Sequence, residues 1–228
     1  ATTADVTVGI STSGTGTEGT DYATISDITI SAGATTGTAS FTPTDDSVYE
    51  GNETGIVAIA TVSGGSATED GTQSVTITIT ENESSPTITL TSSASSIAEN
   101  AGSSLTLTAT SSIVADEDIT VTISTSGTGT EGIDYGTISD ITISAGATTG
   151  TASFTPTDDS VYEGNETGIV AIDGVSGADA AEDGTQSVTI TITENESSPT
   201  VTLATSGTSI AENSGSTLTL TATISQVA

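Results

Sequence analysis

The sequence predicts an all-β protein, a tandem of immunoglobulin-like antiparallel β-sandwiches with about seven strands per repeat, and three observations carry that expectation. Apolar residues alternate with threonine, as in VTITIT (75–80) and LTLTAT (105–110), the two-residue period of a half-buried strand. The text repeats with a period of 113 residues. Residues 10–59 and 123–172 differ only at Thr20/Ile133 and Ala23/Gly136, and EDGTQSVTITITENESSPT stands at 69–87 and again at 182–200. A period this long is a whole domain rather than a solenoid unit. Within one period, seven short strands in roughly 100 residues match an antiparallel sandwich.

The strands of the complete copy follow in order. Pro86 opens the first, Thr87–Thr91, because proline begins a strand more readily than it continues one. SLTLTATS makes Ser104–Ser111 the second, and ITVTIS makes Ile119–Ser124 the third. Two shorter runs, Ile141–Ser144 and Thr149–Thr157, give the fourth and fifth. GIVAI, Gly168–Ile172, is the sixth, and QSVTITIT, Gln186–Thr193, closes the repeat.

The polar NESSPT segments read as linkers, so the repeat is cut out of phase. Residues 86–198 hold one complete sandwich. Residues 1–85 hold a sandwich lacking its first two strands, with five expected. Residues 199–228 hold the first two strands of a further sandwich, expected to complete residues 1–85 of the next copy. Two versions of that head-to-tail arrangement are open at this point: separate subunits joined by strand donation, or one continuous polypeptide of many periods.

Composition removes many functions. There are 30 acidic residues, no lysine, arginine or histidine, and no cysteine, methionine or tryptophan. A net charge of −30 repels nucleic acid and anionic membranes. No apolar run approaches the roughly 18 residues of a membrane-spanning helix. Without histidine or cysteine there is no Ser-His or Cys-His pair, and without lysine no Schiff base. Paired carboxylates hydrolyse glycosides in other settings, but here they recur in each copy without an aromatic cleft, so the chain is expected not to be an enzyme.

If successive strands alternate in direction, the loops after strands one, three and five and the exit of strand seven share one pole. They carry Glu99; Glu131 and Asp134; Asp158, Asp159, Glu163 and Glu166; and Glu194, Asn195 and Glu196. Such a cluster repels itself, and the chain supplies no cation to offset it. Carboxylates with Asn and carbonyl oxygens are the hard ligands Ca²⁺ prefers. The competing reading is a solvated acidic surface. The truncated copy carries Asp21, Asp45, Asp46, Glu50, Glu53, Glu81 and Glu83 at matching positions, and Glu212 in the trailing segment is the counterpart of Glu99. The loop holding Asp116 lies at the opposite pole.

SIAEN, GTGTEGIDY, ITISAG, TPTDDSVYEGNE and VTITITENE occur in the order and approximate spacing of the Calx-beta domain, and the chain resembles that family over essentially its whole length. The resemblance implies a Ca²⁺-binding β-sandwich of the kind found in sodium/calcium exchangers, an integrin subunit and tandem arrays of bacterial surface proteins. It implies ligands at Glu99, Asp134, Asp158, Asp159 and Glu163, with Glu166 adding to them. A run of acids after the last strand also contributes in the family; here it is Glu194-Asn195-Glu196 in place of consecutive aspartates.

Two roles follow as expectations. The first is a structural subunit or segment of an extracellular, calcium-stiffened filament, stalk or adhesin shaft at the cell surface, with itself as partner. The alternative is a calcium-dependent adhesive module whose threonine-rich strands meet surface glycans or ice. Asn52, Asn82, Asn165 and Asn195 stand in N-x-S/T sequons, acceptors in a glycosylating host.

Overall fold

The structure, a computed structural model, describes residues 1–225, and every regular element among them is a strand. The first unit contains β1 (Val6–Gly14), β2 (Ile28–Ile30), β3 (Val48–Tyr49), β4 (Glu53–Ser63) and β5 (Ser74–Ile79). The second contains β6 (Thr87–Ser92), β7 (Ser96–Ala98), β8 (Leu105–Ser111), β9 (Val114–Ala115), β10 (Ile119–Gly127), β11 (Ile141–Ile143), β12 (Thr149–Phe154), β13 (Glu166–Ser176), β14 (Ala181–Glu182) and β15 (Ser187–Thr193). Two further strands, β16 (Val201–Thr205) and β17 (Leu220–Ile224), follow.

The second unit is a sandwich of a five-stranded sheet, β11-β10-β13-β15-β7, and a four-stranded sheet, β12-β8-β6-β14. The seven predicted strands are all present. Three short ones were not predicted, and two of them pair in parallel at sheet edges, β7 with β15 and β14 with β6. The chain leaves β6, crosses to the other sheet within a few residues and continues as β7. A three-residue strand is too short to show a period. The alternation sets the core: Ile88 and Leu90 of β6, Leu107 and Ala109 of β8, Val121 of β10, Val170 of β13 and Ile190 of β15 are all buried, with threonines between them turned outward.

The first unit has one sheet, β2-β1-β4-β5, in the register of β11-β10-β13-β15. The strand expected at residues 36–44, the counterpart of Thr149–Thr157, does not form a ladder. Residues 36–41 repeat the text of β12, yet they lie outside any strand. β12 is a strand because it pairs with β8, Thr149 opposite Thr110 through Phe154 opposite Leu105. Within the first unit no second sheet supplies that neighbour.

The hairpin β16–β17 copies β6–β8. Leu203 stands opposite Ala222 as Leu90 stands opposite Ala109. Its side chains have no core: Val201, Leu203 and Leu220 are 68%, 71% and 68% exposed, where their counterparts Ile88, Leu90 and Leu107 are at most 4%.

The two units meet through β3 and β9, which pair in parallel. The Asp116 N–H donates to the Tyr49 carbonyl at 3.2 Å, and the Tyr49 hydroxyl donates to Asp179 Oδ2 at 2.9 Å. Tyr49 is buried in the core of the second unit, so a residue from the first unit's acidic loop anchors its neighbour. No helix among the described residues is long and apolar enough to cross a membrane.

Candidate metal centre

Strand register gathers the acids. Gly127, at the end of β10, lies opposite Gly168; Glu166, at the start of β13, lies opposite Ile192; and Phe154, at the end of β12, lies opposite Leu105. β7 brings Ala98 beside Thr193. Four segments therefore end at one pole. Gly127 makes the exit from β10 possible: its φ is +123°, and a Cβ there would stand 2.1 Å from the Thr167 carbonyl oxygen. Beneath the pole Tyr135 and Phe154 stack with ring centroids 4.7 Å apart, fixing the backbone that carries Asp134.

Three carboxylate triads interlock at this pole, each with ligand-capable oxygens within 4.8 Å of one another: Glu99, Glu194 and Glu196; Glu99, Asp159 and Glu163; and Asp134, Glu163 and Glu166. Glu99 is only 9% exposed. Glu196 Oε2 is buried with no hydrogen-bond partner, a lone pair turned to no protein donor. A hard divalent cation fits this donor set, which is oxygen throughout. Asp158 joins no triad; its Oδ1 accepts from Asn195 Nδ2 at 3.3 Å. In the first unit Asp21, Glu50 and Glu53 form one triad. Around it, Asp45 accepts from Asn82 Nδ2 at 3.0 Å and Asp46 from the Val48 N–H at 2.8 Å. Glu212 is exposed in the segment between β16 and β17, and belongs to none of the carboxylate triads.

Glu131, which hairpin parity also sends to this pole, has its carboxylate engaged locally. It accepts from the Thr125 hydroxyl at 2.6 Å and the Ile138 N–H at 2.8 Å, tying the β10–β11 connection together. Glu194 has a second duty. It accepts from the N–H groups of Glu163, Gly164, Asn195 and Glu196 at 2.7–3.0 Å, clamping the β12–β13 loop to the exit of β15. Glu81 does the same for Glu50, Gly51, Asn82 and Glu83. The sequon asparagines are part of this scaffold: Asn165 Oδ1 accepts from the Glu194 N–H at 3.0 Å, and Asn52 Oδ1 from the Glu81 N–H at 2.9 Å.

The sequence sets Asp116 apart from the acidic pole, and the docking of the two units brings it to one. Asp116 lies at the opposite pole of its own unit, but the β3–β9 junction brings that pole to the acidic pole of the unit before it. Its charge contributes to raising the Glu50 and Glu53 carboxyls. No local signal foretells this, because it depends on how two units dock.

The electrostatics split the acids into two kinds. The N–H groups of Glu196 and Glu163 hold Glu194 down to about 2. Burial raises Glu81, but the N–H groups of Glu83, Glu50 and Asn82 outweigh it and bring it to about 2. Glu196 is pushed up to about 7, first by its side-chain interaction with Glu194 and then by burial. Glu50 also rises to about 7, by burial and then by the charges of Asp21 and Asp46. Glu99, Glu163 and Glu166 rise as well, each first by burial and also by neighbouring carboxylates.

A pH dependence follows for the metal-free protein. Folding raises Glu50 and Glu196 from an ordinary value of 4.5 to about 7, so their contribution is fully present below about pH 4.5 and is lost as the pH rises through about 7. Glu81 and Glu194 act oppositely, contributing above their ordinary value and losing that only as the pH falls towards 2. In chelator the melting temperature is expected to fall between pH 5 and pH 8, and saturating calcium to remove that slope. Thermal melts across this range check it; a flat profile in chelator contradicts it.

The Calx-beta domain family profile matches residues 1–83 and 81–196. No curated protein matches the chain. Among solved structures, the apo form of the Calx CBD1 domain is similar at 16% identity, covering 49% of this chain and 99% of that one with a TM-score of 0.41. CBD12 from CALX1.2 is similar at 16% identity over 85% and 89%, TM-score 0.40. The calcium binding domain CBD12 of CALX1.1 is similar at 13% identity over 82% and 87%, TM-score 0.36.

Proposed function

Because the chain belongs to the Calx-beta family, whose domains are calcium-binding modules, we propose that it is a calcium-stiffened segment or subunit of an extracellular filament, stalk or adhesin shaft. The observation that carries this is the three interlocking triads drawn from four separate segments, in a chain with no lysine, arginine or histidine. An ion held there ties four loops together, the work that disulfides perform in other extracellular domains. Near-identical repeats suit a spacer, in which each unit has the same mechanical task. Tyr49 supports the shaft reading: it leaves the acidic loop of one unit and is buried in the next, so ions that order this loop also stiffen the junction.

Glu99, Asp134, Asp159, Glu163, Glu166 and Glu196 are the proposed ligands of the complete unit, with Glu194 as both ligand and clamp and Asp158 at the rim. In the first unit they are Asp21, Glu50 and Glu53, with Asp45, Asp46, Glu81 and Glu83 around them. Asp158→Asn together with Asp159→Asn is expected to weaken calcium binding by the complete unit at least tenfold in calorimetric titration, whereas Asp173→Asn, at an exposed position of β13 away from Glu166 and the pole, leaves it unchanged. Equal losses from both would favour a diffuse acidic surface.

A further inference from the structure

The single sheet of the first unit bares the face that should be its core. Ile10, Ile28, Phe41, Val57, Val75 and Ile77 line an open apolar groove, and Val75 is 60% exposed. In the complete unit the same face is covered by β6 and β8, whose inward side chains are almost fully buried. The hairpin β16–β17 has the complementary defect. It is already built to fit: the Thr200 N–H donates to Ser225 Oγ at 3.0 Å and the Thr219 N–H to Ser206 Oγ at 2.9 Å, as the Thr87 N–H does to Ser112 and the Thr106 N–H to Ser93. Its apolar side chains are exposed, so it does not fill the groove of its own chain.

We propose that the β16–β17 hairpin of one copy docks into the groove of a second copy, as the two strands its first unit lacks. The complete sandwich fixes the register. Residues 36–41 become a strand on β17, Thr36 opposite Thr223, Ala39 opposite Leu220 and Phe41 opposite Leu218, the 113-residue images of the β12–β8 pairs. Ser209–Ala211 lies alongside Thr78–Thr80 as Ser96–Ala98 lies alongside Thr191–Thr193. Glu212 then takes the position of Glu99, between Asp46 and Glu50 on one side and Glu81 and Glu83 on the other, completing the acidic pole. The contact is heterologous, so it propagates into a filament rather than closing into a dimer, and its chemistry is β-strand addition. The junction repeats too. Tyr162 is the counterpart of Tyr49 and is half-buried in its own chain; in the filled neighbour it meets Ser66, the counterpart of Asp179. The proposal rests on the shaft reading for its purpose and gives that shaft its axial contact.

The test uses the full chain, which has no native cysteine. Ser40 and Thr219 are images of the paired, outward-facing Ser153 and Thr106. The variant Ser40→Cys with Thr219→Cys is expected to give a ladder of covalent multimers on a non-reducing denaturing gel. The register-shifted variant Ser40→Cys with Thr223→Cys is expected to give little. Adding Leu203→Asp and Leu220→Asp, both at exposed positions, should reduce the ladder to the level of that control while the complete sandwich keeps its melting transition. A disulfide found only within monomers, or an equal ladder from the shifted pair, overturns the proposal. So does a native particle that dissolves in denaturant to one chain of many periods, since the missing strands are then supplied in cis. A ladder in chelator as well as in calcium leaves this contact standing whatever becomes of the metal reading; calcium binding without a ladder removes this contact alone.

Discussion

Chelating calcium is expected to lower the melting temperature of the complete sandwich by about 10 °C or more. The acids of the pole cannot be neutralised from within the chain, so the folded metal-free state holds converging carboxylates against their mutual repulsion. A ligand that binds only the folded state stabilises it by about 2.7 kcal/mol at a hundredfold excess over Kd. In a domain of about 100 residues each kcal/mol moves Tm by about 4–8 °C. The effect should be specific to divalent cations: sodium chloride at equal ionic strength screens the cluster but cannot bridge it. Differential scanning calorimetry in calcium, in chelator and in matched sodium chloride decides the matter, with elemental analysis of the dialysed protein as a second reading. An unchanged melting curve in chelator, with no bound metal, would sink the calcium assignment.

The second large effect concerns two phenylalanines in identical local sequence. Phe154 is fully buried, with Gly168 against its ring; a Cβ at Gly168 would stand 2.6 Å from it. Phe154→Ala is expected to destabilise the complete sandwich by about 3–5 kcal/mol. Phe41 makes the same stack, with Tyr22 at 4.5 Å, but is only half-buried, on the open groove. Phe41→Ala should leave the transition of the complete sandwich where it is, because the ring contributes nothing to that core. In assembled protein the two substitutions should converge, if a hairpin covers Phe41 as β8 covers Phe154. Urea titrations of both variants, dilute and assembled, read the difference. Equal losses in dilute protein would mean that the groove is closed in the isolated chain.

Much of the fold was legible because strand formation is a local matter of alternation. VTITIT and LTLTAT place threonine outward and Ile, Leu or Val inward wherever a partner sheet exists, and the 113-residue period shows the same text folding twice. The convergence of Glu99, Asp134, Asp159, Glu163, Glu166, Glu194 and Glu196 also follows from order alone, because antiparallel strands return alternate loops to one end. Missing from the text were the tasks that side chains take on once in place. Glu131 is drawn into local hydrogen bonds, Glu194 and Glu81 clamp backbone N–H groups, and sequon asparagines brace the pole. Each depends on loop conformation at ångström scale, which a spacing does not encode.

The repeat separates the two levels. Residues 36–41 and 149–154 carry the same six letters, so any local propensity is the same, yet only the second run is a strand. Val201 and Leu203 repeat the alternation of Ile88 and Leu90 and are left in solvent. Asp116 belongs to one unit by sequence and presses its charge on the carboxylates of another. By itself the sequence determined which residues are able to form strands, which way they alternate and which pole collects the acids, because those properties reside in neighbours along the chain. Tertiary structure alone decided which strands have partners, which apolar faces are covered and which poles meet, because a β-ladder and a buried face each require a second surface, brought from elsewhere in the chain or from another copy of it.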